Sequence, residues 1–96
     1  MMLHTLNCGA TSEAFRDCLR TATDGDAIVL LGDGVYTALP GSDARRALDA
    51  CPARVLALDT DAAAAGLTSR LAGLALVDMD GLVALSEYYP RQLAWY

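Results

Sequence analysis

The chain has 96 residues, a formal net charge of −5 and 54% hydrophobic residues against 20% charged, which excludes disordered and fibrous classes. Domains run from about 50 to 250 residues, so a single domain over residues 1–96 is expected, burying roughly 60–70% of its unfolded surface. All seven basic residues are arginine, which excludes a P-loop lysine or a Schiff-base lysine, and the acidic balance argues against direct nucleic-acid binding.

The longest unbroken apolar run, Ala27–Leu31, is too short to span a bilayer, and the opening Met-Met-Leu-His-Thr lacks the basic and apolar regions of a signal peptide. A cytoplasmic protein without membrane contact is therefore expected.

In chain order, Met2–Leu6 reads as a short strand. Thr11 or Ser12 caps a helix in which Ala14, Phe15, Cys18, Leu19 and Ala22 form one apolar stripe, and Gly25 suits a left-handed C-cap. Asp26–Leu31 is continuously apolar after its first residue, as in a strand covered by helices on both faces. Gly32-Asp33-Gly34 turns the chain into a short helical stretch, Val35–Leu39, which Pro40-Gly41 ends. Ser42 or Asp43 opens a second helix with Ala44, Ala47, Leu48 and Cys51 at helical spacing, ended by Pro52.

Arg54–Leu58 is a third strand. Thr60 caps an alanine-rich helix that Gly66 closes, and Leu74–Val77 is a fourth strand. Asp78 or Asp80 caps a last helix with Leu82, Leu85 and Tyr89 along one side. Pro90 breaks it, and Gln92–Trp95 returns as an edge strand. The alternation predicts a three-layer α/β/α sandwich around a five-stranded parallel sheet with right-handed crossovers.

Ligands of such sheets sit beyond the carboxyl ends of the strands. Gly32-Asp33-Gly34 lies at such an end, but Thr37 stands where a dinucleotide fingerprint has its third small residue, so the glycines read as a tight turn and Asp33 as a cap. His4, the one histidine, lies inside a strand, where a packed, hydrogen-bonded ring is expected; one histidine builds neither a triad nor a multi-histidine metal site. Cys8, Cys18 and Cys51 lack C-x-x-C spacing. Cys18 and Cys51 continue apolar stripes and read as packing residues, while Cys8, in a loop, is expected to be the more exposed. No cofactor or metal is called for. Tyr88, Tyr89, Trp95 and Tyr96 either close the core or anchor a subunit contact.

Met2-Leu3-His4-Thr5-Leu6-Asn7, Asp24-Gly25-Asp26, Leu30-Leu31-Gly32-Asp33-Gly34-Val35-Tyr36, Val55-Leu56-Ala57-Leu58, Ala65-Gly66-Leu67-Thr68 and Gln92-Leu93-Ala94-Trp95, in this order, resemble the TusB/DsrH family of sulfur-relay proteins. The resemblance implies a DsrE-like, Rossmann-like sandwich. It also implies a dimer of heterotrimers with TusC/DsrF-like and TusD/DsrE-like subunits, which passes persulfide sulfur to a TusE/DsrC-like acceptor. In one branch the sulfur ends in 2-thiolation of wobble uridine in tRNA; in the other, DsrEFH serves sulfur oxidation. The principal persulfide cysteine belongs to the TusD/DsrE-like subunit, which makes this chain an accessory subunit. Cys8-Gly9-Ala10 departs from the Ser-Pro that relatives often carry there, so no family role transfers to Cys8. Cys18 matches a cysteine of DsrH-type members that many TusB-type members lack. It is the candidate catalytic residue, as a sulfur acceptor, with packing as its alternative. Use of the Gly32–Gly34 turn for a nucleotide or flavin is a third reading.

Overall fold

The computed structural model describes residues 1–96. Five strands, β1 (Met2–Leu6), β2 (Ala27–Leu30), β3 (Arg54–Leu58), β4 (Ala75–Val77) and β5 (Arg91–Trp95), form one parallel sheet in the order β4-β3-β2-β1-β5. Between them run α1 (Glu13–Thr21), a 3-10 helix (Gly32–Ala38) leading to α2 (Asp43–Ala50), α3 (Asp59–Ala64) and α4 (Met79–Tyr88).

Strand order decides where each helix lies. From β1 to β4 every connection steps one strand in the same direction, and a consistent crossover hand puts α1, α2 and α3 on one face. The connection from β4 to β5 runs back across the whole sheet to its other edge, so α4 alone covers the opposite face.

The two cores follow. The three-helix face holds 16 buried residues, among them Leu6, Phe15, Cys18, Ile28, Leu30 and Leu48. The α4 face holds five, Leu3, Ala27, Val29, Leu56 and Tyr89, with Leu82 and Leu85 packed on them half-buried. Alternation along β1 sends Leu3 to the α4 side and Leu6 to the other. β2 is buried at every residue, which explains its unbroken apolar run.

Local chemistry sets most helix starts. Ser12, Ser42 and Asp78 are N-caps whose side chains accept from the amides of Ala14, Arg45 and Gly81. α3 differs: it begins at Asp59 behind Leu58, so Thr60 lies within the helix and caps nothing. Gly25 is no helix cap either. α1 ends at Ala22 in extended backbone, and Gly25 takes its positive φ of 91° in the following turn. There the Asp26 carboxylate accepts from the Thr23 amide and closes the turn.

In α2, Ala44 and Leu48 are buried as expected, but Ala47 faces solvent and Arg45 points inward. Its guanidinium donates to the carbonyls of Ala38 (2.6 Å) and Ala72 (2.7 Å) and to Asp49 (3.1 Å), tying the 3-10 helix to the segment before β4. Buried Leu67 and Leu71 anchor the long stretch between α3 and β4.

Candidate functional site

The carboxyl ends of β2 and β3 meet at the Gly32–Gly34 turn. Gly32 has φ +49°, and a Cβ there would run into the Asn7 side chain. At Gly34 a Cβ would strike the carbonyl oxygen of Leu6, so this glycine lets the turn lie against the end of β1. Gly34 thus serves close backbone approach, while Gly32 serves the left-handed backbone of the turn and leaves room for Asn7. An open pocket of about 190 Å³ lies beside the turn, lined by Gly32, Asp33, Tyr36, Asp61, Ala64 and Ala65. Asp61 is already engaged, accepting from the Gly32 amide at 2.8 Å. Two carboxylates in the lining oppose a phosphate, which depends on amides and cations. Nearby, Asp59 carries a buried Oδ1 without a hydrogen-bond partner.

The cysteines gather on the three-helix face. Cys18, on α1, is 0% exposed, and burial pushes its thiol up to about 12, with Cys51 and Cys8 adding to the rise. Such a thiol stays protonated at neutral pH, and only the thiolate is an effective nucleophile. Arg16 and Arg20 do not offset this: both are exposed, and Arg20 pairs with Asp17. Cys8 is buried rather than exposed, because the chain leaving β1 turns under α1 and joins the same core. Cys51, the C-cap of α2, is the half-buried one.

The structure also builds a polar chain that sequence spacing did not reveal. His4 is 0% exposed in β1. Its Nε2 lies 3.0 Å from Oδ2 of Asp26, just before β2, and its Nδ1 lies 3.0 Å from Nε1 of Trp95 at the end of β5. An indole N–H can only donate, so Nδ1 accepts and the ring proton sits on Nε2, donating to Asp26. Asp26 further accepts from the amides of Met2 (2.9 Å) and Thr23 (3.0 Å). Burial works to raise the Asp26 carboxyl, but the bond from His4 and then those from Thr23 and Met2 hold it below the ordinary 3.8. The ring therefore bridges three strands and has both nitrogens occupied. One polar residue inside an apolar strand, with one tryptophan in an edge strand, was the available signal. Of the tail aromatics, Tyr89 is buried and Trp95 half-buried, while Tyr88 and Tyr96 face solvent.

Residues 9–92 match the family model described as DsrH like protein. The chain belongs to the DsrH family. It is 39% identical over 95 residues to Protein TusB of Pectobacterium parmentieri and 37% identical to Protein TusB of Escherichia coli K12, covering 98% of this chain and 100% of each relative. Among solved structures, protein Tm0979 of Thermotoga maritima matches with a TM-score of 0.69 at 26% identity, over 92% of this chain and 93% of that one. The ychN protein of E. coli matches with a TM-score of 0.80 at 16% identity, over 98% and 97%. The five-stranded parallel sheet with helices on both faces is thus the three-layer α/β/α sandwich that the sequence predicts, and the ychN protein shares this fold. No helix is long and apolar enough to cross a membrane.

Proposed function

We propose that residues 1–96 fold as one DsrH-like domain that serves as an accessory subunit of a sulfur relay in the cytoplasm. The relay is of the TusBCD type, passing persulfide sulfur towards 2-thiolation of wobble uridine in tRNA. The carrying observation is the match to TusB proteins over their full length. The proposed complex pairs this chain with TusC/DsrF-like and TusD/DsrE-like subunits in a dimer of heterotrimers, and sulfur leaves to a TusE/DsrC-like acceptor.

The state of the reactive side chains supports a role through assembly. His4 is held at both nitrogens, Arg45 by two carbonyls, and the Cys18 thiol is buried and protonated. A net charge of −5 suits a subunit that leaves the tRNA to other proteins.

The second reading makes Cys18 a sulfur carrier of the DsrH kind in a DsrEFH complex of sulfur oxidation. Its specific support is geometric: Cys8 and Cys18 lie in one buried cluster, with half-buried Cys51 packed against it. Thiol exchange would require Cys18 to open to solvent and lose its proton.

The deciding measurement is wobble 2-thiouridine by mass spectrometry of tRNA from a gene deletion, with rescue by wild type and by Cys18→Ala. The expected result is loss in the deletion and full rescue by both. Failure of Cys18→Ala at normal protein abundance would make Cys18 a carrier. Unchanged thiolation in the deletion would move the protein to sulfur oxidation.

A further inference from the structure

α4 is the one helix without a buried residue. Its sequence, Met-Asp-Gly-Leu-Val-Ala-Leu-Ser-Glu-Tyr, is nonetheless mostly apolar, and its apolar residues are not confined to the side that faces the sheet. Leu82 and Leu85 face the sheet. Met79 (52% exposed), Val83 (48%) and Tyr88 (68%) face solvent.

Helical geometry arranges the outer surface. Asp80 and Glu87 are seven residues apart, two turns or about 10 Å along the crest, with exposed Val83 and Ala84 between them. From Ala72 to Pro90 the chain carries Asp78, Asp80 and Glu87 and no basic residue. The helix treats its carboxylates unequally: Asp78 caps Gly81, Asp80 sits in the first turn, where the helix dipole favours a carboxylate, and Glu87 sits in the last, where it disfavours one.

We infer that the outer face of α4 is the docking surface for a partner protein whose own apolar patch is bordered by arginine or lysine placed to meet Asp80 and Glu87. The inference rests on the relay-subunit reading and names the surface through which this chain joins the complex. Charge selects the occupant. A second copy packed α4 against α4 would set three carboxylates against three, with Arg54, at the amino end of β3 on that side of the sheet, as its available counter-charge. A cationic rim turns the carboxylates at the two ends of the crest into charge pairs on either side of a desolvated Val83 and Ala84, with Met79 and Tyr88 on the flanks.

The test uses the full chain, tagged at its chromosomal locus and purified with whatever binds it stoichiometrically. Hydrogen exchange of the complex is compared with that of the isolated chain, whose oligomeric state is measured by sedimentation. Amides in the second half of α4 should slow by about tenfold or more in the complex. An Asp80→Lys/Glu87→Lys variant should melt like wild type in isolation and fail to retain the partners. Three results overturn the inference. Partners co-purify but α4 exchanges as in the free chain, or the charge-reversed variant retains them; the relay reading then stands. The isolated chain dimerises with α4 protected, which makes a second copy the occupant. Nothing co-purifies and α4 stays unprotected, and then the relay reading fails too.

Discussion

One sheet presents two unequal faces. Three helices and the segment between α3 and β4 seal the first over 16 buried residues, while a single ten-residue helix lies on the second over five. Apolar burial contributes roughly 25 cal/mol per Å², so the first face supplies most of the fold's stability. The second keeps exposed apolar surface that the isolated chain does not use. A small domain can be stable on one good core and leave its other side for assembly.

The sharpest way to break this comparison is to cut equal holes in the two faces. Leu48→Ala, on the sealed face, should cost about 2–5 kcal/mol in urea unfolding. Leu85→Ala, half-buried on the sheet side of α4, should cost about 1 kcal/mol. Equal losses would mean that the α4 face carries as much of the core as the other.

The next effect concerns backbone approach at the carboxyl ends of the strands. Gly34→Ala must move the turn away from Leu6 and should lose about 1–3 kcal/mol. Gly9→Ala meets open space and should change the urea midpoint little. A tolerant Gly34 would show that the turn can back away from β1 freely.

Of similar or smaller size is the chain that binds β5 to β1. Trp95→Phe leaves the His4 Nδ1 without its donor and should cost about 1–3 kcal/mol. Asp26 adds a pH dependence to the same place. Its carboxyl is lowered in the folded state, so its contribution is fully present above the unfolded value of 3.8 and is lost as pH falls through the lower folded value. Wild type should therefore lose stability below about pH 4 more steeply than Asp26→Asn, measured by urea midpoints along a pH series. Parallel slopes would remove Asp26 as the source.

At Cys18 the energetic change is expected to be as small as at Leu85. Cys18→Ala trims one buried sulfur and should cost about 1 kcal/mol. Its reactivity is the sharper readout. Iodoacetamide at about pH 8 should modify half-buried Cys51 in the native protein and reach Cys18 only after unfolding. Native labelling of Cys18 would show an opening that exposes the thiol and would favour the carrier reading.

What the amino-acid sequence determined by itself is local. The strands follow from short apolar runs, and β3 falls on Arg54–Leu58 as read. Ser12, Ser42 and Asp78 start their helices because a side-chain oxygen reaches an amide two or three residues on, a reach that spacing encodes. The same logic fails at α3. Thr60 looks like a cap, but α3 starts ahead of it, with Asp61 reaching across to Gly32.

Only the tertiary structure decided the rest. Spacing cannot report strand order, yet the return of β5 beside β1 leaves α4 alone on its face. It also cannot report that His4 meets Trp95 across 91 residues, that Arg45 turns inward to two carbonyls, or that Cys8 is covered. The physical reason is the same for each. Contacts are chosen by packing in space rather than by distance along the chain, and a buried polar group such as His4 or Arg45 takes the partner the fold brings to it.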